Sequence, residues 1–312
     1  MSSFHLCLRP LLFLTATLLV LGAPVLTSQP AGEAAGEPVS MTGKTILITG
    51  STDGLGREVA LRLGKLGAYV LVHGRNETRG AEVVDTINES GGSAEFYHAD
   101  FASLDNVRAL ATAIMRDHPR LDVLINNAGI GPGYAGGNRQ TSDDGHEMIF
   151  QVNYLAHYLL TELLLPTLRA STPARIINVA SGAQRPVNFD DVMLEQNFSA
   201  STAYAQSKLA QVLHTFHLAR MLDGTGVTFN TLHPATMMDT TMVSQMNSPA
   251  RTTVDEGATA LMDLVVSPKM EGRTGLYFNG LHEARANAQA YDERARERLD
   301  ALSRVLTGLP SR

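Results

Sequence analysis

The sequence predicts an α/β protein: one doubly wound, parallel sheet of about seven strands, flanked by helices. Three observations carry that expectation. From residue 43 onward, short β-rich runs alternate with stretches of helical periodicity. A glycine-rich turn hands the first of those runs to the first helical stretch. No linker-like composition interrupts residues 43–308, so a single domain is the economical reading.

In chain order, the strands are expected in "KTILITG" (44–50), "AYVLVHG" (68–74), "AEFYHAD" (94–100), "LDVLINNAG" (121–129), "ARIINVAS" (174–181), "GVTFNTLHP" (226–234) and "TGLYF" (274–278). Helices are expected in "LGREVALRLGKLG" (55–67), "LDNVRALATAIMRDH" (104–118) and "GHEMIFQVNYLAHYLLTELLLPTLRA" (145–170). A further helix carries "STAYAQSKLA" (201–210) and runs to about Leu222, with Gly224 as its stop signal.

Hydrophobic residues make up 44% of the 312 and charged residues 18%, an ordinary globular composition. The net charge of −6 and the lack of any basic block argue against nucleic-acid binding. The single cysteine, Cys7, precedes the folded body, which excludes a disulfide framework and a thiolate nucleophile there.

Residues 1–40 read as a leader and linker, and 41–312 as the folded domain. "LLFLTATLLVLG" (11–22), after Arg9, resembles a secretory signal core and is short for a membrane span. Translation from Met41 would equally yield an intact cytoplasmic protein. On the first reading the chain is secreted, or attached to a membrane through residues 10–22 alone.

"TGSTDGLG" (49–56) joins the first strand to the first helix. Glycine permits a tight turn and close backbone approach to a pyrophosphate, which the helix N-terminus then receives. A Rossmann-type dinucleotide site is therefore expected around Gly50, Ser51, Thr52, Asp53, Gly54, Leu55 and Gly56.

Tyr204 and Lys208 stand one helical turn apart on one face. A free phenol is a poor base at neutral pH, and an ammonium beside it favours the phenolate. The pair is read as an acid–base device rather than an exposed surface pair. Ser181 ends a strand, where ligands bind in open α/β sheets, and its hydroxyl can donate to a substrate oxygen.

The glycine turn, "NNAG" (126–129), Ser181 and Y-x-x-x-K together resemble the short-chain dehydrogenase/reductase family over about residues 43–308. "FQVNYLAHYLLTELLLP" (150–166), "VNFDDV" (187–192) and "ERLDALSRVLTGL" (297–309) are similar to its retinol-dehydrogenase-like branch. The resemblance implies an NAD(P)-dependent enzyme acting on a small alcohol, aldehyde or ketone, with Tyr204 as acid/base. It implies that Lys208 also holds the nicotinamide ribose and that Asn153 completes a proton relay. Asp100 would contact adenine, with Phe101 supplying backbone. Asn126, Ala128 and Gly129 would pass beneath the cofactor, and Thr236 would cover the nicotinamide. Ala235 replaces the family's usual glycine, and Asp239 stands where Thr or Ser is common.

Where NAD-specific relatives carry an aspartate, the second strand ends in Gly74 and Arg75, so NADP(H) is the preferred cofactor and NAD(H) the alternative. Asp53 is a counter-signal, because many NADP-preferring relatives carry a basic residue there. Ser207 is read as packing. Met237, Met238, Met242 and Met246 line either an apolar pocket or a packed lid. His214 and His217 lack a third ligand at suitable spacing, so no metal is expected. Two rival readings stay open: a non-catalytic, dinucleotide-binding redox sensor and a membrane-attached lipid or retinoid dehydrogenase. The sequence does not indicate an oligomeric state.

Overall fold

The computed structural model describes residues 1–6 and 39–312, and the chain divides into two units, Met1–Glu37 and Pro38–Arg312. Residues 1–6 carry no regular secondary structure. The apolar run at 10–22 lies outside the described residues. In the second unit Met41 is already part of the body: it is buried, and its backbone N–H donates to Leu66 O at 2.8 Å.

Eight strands form one sheet among the described residues: β1 (Thr45–Ile48), β2 (Tyr69–Gly74), β3 (Ser93–His98), β4 (Val123–Asn126), β5 (Ala174–Val179), β6 (Val227–His233), β7 (Tyr277–Asn279) and β8 (His282–Ala284). Their order is β3-β2-β1-β4-β5-β6-β7-β8. Every neighbouring pair is parallel except β7 with β8. The seven expected strands are all present. The eighth adds an antiparallel edge, and its three residues, "HEA", are too short and too polar to show a period.

The helices are α1 (Gly54–Lys65), α2 (Glu77–Glu89), α3 (Leu104–Asp117), α4 (Met148–Phe150), α5 (Ala156–Ala170), α6 (Ala200–Met221), α7 (Thr241–Ser244), α8 (Val254–Val266) and α9 (Glu293–Leu306). The continuous helix expected over 145–170 starts at Met148 and passes through a π-helical stretch, Gln151–Leu155, before α5. Strand side chains alternate between two cores, as a sheet covered on both faces requires. Ile46, Ile48, Val70 and Val72 join α1, α2 and α8, while Leu47, Leu71 and Leu124 join α3, α5, α6 and α9.

A polar ladder crosses this apolar sheet. Asn126 on β4 stands opposite Asn178 on β5, which stands opposite Thr231 on β6. Asn126 Nδ2 donates to Asn178 Oδ1 at 2.9 Å, and Thr231 Oγ1 donates to Asn178 O at 2.9 Å. Asn178 Nδ2 donates in turn to Gln211 O at 3.1 Å and Thr215 Oγ1 at 3.0 Å on α6. Strand order reverses between β1 and β4, so a cleft opens outside their carboxyl ends, where open α/β sheets bind ligands.

Candidate active site

Two turns frame the cleft. After β1 the chain turns at Gly50, whose φ is +64°, and a Cβ there would lie 2.7 Å from Ala128 Cα. A Cβ on Gly56 would collide with Gly50 O and the Asn127 carboxamide. No side chain fits at either point, which leaves backbone free to approach a pyrophosphate, so the turn suits a dinucleotide. Asp53 caps α1, with Oδ1 accepting from Gly54 N at 2.8 Å, and Leu55 is buried. Ser51 points inward: its hydroxyl donates to Ile48 O at 2.8 Å and accepts from His73 N at 3.0 Å. Thr52 lies against Gly74 at the end of β2.

The turn is held by residues that sequence reasoning missed. Asn127 Nδ2 donates to Thr49 O at 2.9 Å and Gly50 O at 3.1 Å, fastening the β4 turn to the glycine turn. Its predicted neighbour Asn126 serves the sheet instead, donating to Thr161 Oγ1 and Asn178 Oδ1 at 2.9 Å. Side chains alternate at a strand end, so two successive asparagines face opposite ways. His73 Nδ1 accepts from Gly50 N at 3.1 Å, which requires a neutral ring, and burial pulls its pKa down to about 4. The ring stacks on Phe101 with centroids 4.6 Å apart. Phe101 is buried, and Asp100 bonds Ala102 N through Oδ1 at 3.0 Å and faces Arg75 across 3.7 Å.

The Thr49 hydroxyl forms a hub, accepting from Asn127 N at 2.9 Å and Ala128 N at 3.0 Å, with His157 Nε2 2.9 Å away. His157 Nδ1 lies 2.9 Å from Asn153 O, which can only accept, so Nδ1 carries the proton. Burial pulls the His157 pKa to about 3 and keeps the ring neutral.

At the other side of the cleft, Ser199 caps α6 and accepts from Thr202 N at 3.2 Å, which sets Tyr204 within the first two turns. Burial raises the Tyr204 phenol pKa, and the Ser181 hydroxyl beside it pulls the other way. Ser181 is anchored two residues past β5: Gln184 Nε2 donates to its carbonyl at 2.9 Å. The Lys208 ammonium lies 5.8 Å from the Tyr204 ring centroid and donates to Val179 O at 2.8 Å and Gln211 Oε1 at 3.1 Å. Burial alone pulls its pKa from the usual lysine range to about 7.

Asn153, in the π-helical stretch, spends its amide on structure. Oδ1 accepts from Ile130 N at 2.8 Å, and Nδ2 donates to Ile130 O and to Ser207 Oγ, each at 3.1 Å. Ser207 is therefore a partner of Asn153 rather than filler. Both Asn153 and Lys208 flank Gly129: a Cβ there would sit 3.2 Å from Asn153 Oδ1 and 3.7 Å from Lys208 Nζ. Thr236 is exposed, and its Oγ1 lies 2.9 Å from His233 Nε2, so it stands at the rim. Met242 packs on Gly131, and the segment reaching Met246 lies over Gly133, so α7 covers the cleft. Among the described residues no three His, Cys, Asp or Glu side chains group as a metal site.

The sequence matches the short chain dehydrogenase family over residues 44–251. It is 38% identical over 304 residues to human retinol dehydrogenase 14, covering 88% of this chain and 89% of that protein. It is 36% identical over 326 residues to human retinol dehydrogenase 13, covering 96% of each. A solved RhlG/NADP active-site complex from Pseudomonas aeruginosa shares the fold with a TM-score of 0.64 at 27% identity, over 77% of this chain and 95% of that one.

Proposed function

This chain belongs to the short-chain dehydrogenase family, in its retinol-dehydrogenase-like branch, and from that membership we propose a specific assignment of roles and cofactor. The protein is an NAD(P)-dependent oxidoreductase that transfers a hydride between a nicotinamide dinucleotide and an alcohol or carbonyl group. Our reading adds Tyr204 as acid/base, Ser181 as oxyanion donor, Lys208 as the cation beside the phenol, NADP(H) as preferred cofactor and an apolar substrate.

Bound nicotinamide supplies or accepts the hydride at the substrate carbon. In the reducing direction the Tyr204 phenol donates its proton to the carbonyl oxygen, while the Ser181 hydroxyl donates a hydrogen bond to the same atom. The Lys208 ammonium favours the phenolate left behind. The reverse sequence of proton movements oxidises an alcohol. Asn153 and Ser207 hold the Ile130 turn, and Asn127 holds the glycine turn against it. The observation that carries this reading is the convergence of Ser181, Tyr204 and Lys208 beyond the carboxyl end of β5, with Lys208 beside Gly129 of the β4 turn.

An apolar substrate is supported by Met242, whose side chain lies over Gly131 beyond β4, since methionine adapts to varied shapes. The preference for NADP(H) rests on Arg75, half-exposed just past β2, where a guanidinium can meet a 2′-phosphate. No described helix is long and apolar enough to cross a membrane, so we assign any attachment to residues 10–22. Fractionation of full-length chain against one lacking residues 1–40 tests that assignment.

The activity itself is tested with deuterated NADPH and a panel of aliphatic, aromatic and retinoid carbonyls, followed by mass spectrometry of the alcohols. Deuterium in a product is expected. Tight NADPH binding with no deuterated alcohol from any panel member would instead favour the redox-sensor reading.

A further inference from the structure

Asp53 is the residue that argues against NADP(H), since a carboxylate in the glycine turn repels a 2′-phosphate. The structure shows what that carboxylate meets. Its Oδ2 lies 3.3 Å from Arg79 Nη1, which reaches across from the first turn of α2. The same oxygen accepts from Thr241 Oγ1 at 2.7 Å, and Oδ1 accepts from Gly54 N at 2.8 Å.

We propose that Arg79 is the second guanidinium of the 2′-phosphate site, with Asp53 as its counter-ion when no phosphate is bound. This rests on the NADP(H) reading and deepens it. Three points carry the proposal. Asp53 keeps a donor on each oxygen without Arg79, so releasing the arginine leaves no carboxylate oxygen bare. The Arg79 side chain is 50% exposed and its ion pair is long, and such surface pairs are weak and exchangeable. Thr52, next to Asp53, lies against Gly74, next to Arg75, so both arginines border the same corner of the cleft. Arg75 likewise faces one carboxylate, Asp100, across 3.7 Å and is 55% exposed. The four side chains sum to zero charge. A phosphate monoester carrying about −1.5 to −2 charges outcompetes either carboxylate for a guanidinium.

The test is calorimetric titration of the full chain with 2′,5′-ADP and with 5′-AMP, which differ only by the 2′-phosphate. Wild-type protein is expected to prefer 2′,5′-ADP. Arg79→Ala should lower that ratio about tenfold while leaving 5′-AMP affinity unchanged, and Asp53→Asn should raise it. An unchanged ratio in Arg79→Ala with a collapsed ratio in Arg75→Ala would overturn the role of Arg79 and leave the NADP(H) reading standing. A wild-type ratio of one would overturn both.

Discussion

Lys208 donates its ammonium to the main-chain carbonyl of Val179 at 2.8 Å, two residues before Ser181 on the same chain segment. One bond thus ties the helix that bears Tyr204 to the strand end that bears Ser181. The hydroxyl and the phenol keep their spacing because their supports are joined, and the Ser181 hydroxyl is held in addition by Ala183 N, which donates to it at 3.1 Å.

Replacing Tyr204 with phenylalanine keeps the ring and removes only the hydroxyl. Turnover should fall about 10²–10⁴-fold, the worth of general acid–base catalysis, with cofactor affinity and thermal stability close to wild type. Steady-state kinetics beside a cofactor titration checks this. Near-normal turnover would move the proton to another group.

Lys208 titrates near 7 in the free protein because burial disfavours its charge. A reduced cofactor brings negative phosphates and ribose hydroxyls, which favour the ammonium and raise that pKa on binding. Between the free and bound values the complex holds more protons than the free protein. Binding of NADPH at pH 8 should therefore take up a proton, and affinity should fall as pH rises above about 7. Calorimetry in buffers of different ionisation enthalpy measures the uptake, and Lys208→Met should abolish it.

Asn127 gives its carboxamide to the carbonyls of Thr49 and Gly50. Asn127→Ala leaves both short of a donor and should cost about 1–3 kcal/mol of stability. Cofactor affinity should drop in the same variant, because the glycine turn loses its fastening. Chemical denaturation and cofactor fluorescence read the two effects separately, and unchanged affinity would limit Asn127 to a structural role.

Removal of residues 1–40 should leave a folded, active enzyme, since β1 begins at Thr45 and Met41, already packed, is retained. Circular dichroism and turnover of the truncated chain test this. Aggregation of that chain alone would make the leader part of the fold.

The strands and their doubly wound order were legible because buried β-branched runs and glycine turns leave a pattern in one dimension. The proximity of Tyr204 and Lys208 was legible because their spacing is that of a helix turn. What stayed hidden was made by tertiary approach. His73 reads as one more strand residue, yet its ring accepts from Gly50 N. Asn126 and Asn127 are indistinguishable in sequence, and only the alternation of side chains at the strand end decides which one meets the glycine turn. Arg79 lies 26 residues from Asp53 in sequence, so the neutralisation of that acid is invisible until the fold is closed.

The ladder of Asn126, Asn178 and Thr231 has a consequence for catalytic distance. Parallel strands such as "VLIN" and "ARIINV" resemble one another, and a slip of two residues would keep every apolar side chain on its own face. Hydrophobic burial is therefore nearly blind to that error. The asparagine contacts are not, because the same slip breaks the Asn126–Asn178 bond inside the sheet, where an unmet amide is expensive. It would also carry Ser181 about 6.6 Å along β5, beyond reach of the Tyr204 hydroxyl. The buried amides act as a ruler, and the length they set is the gap between a serine and a tyrosine.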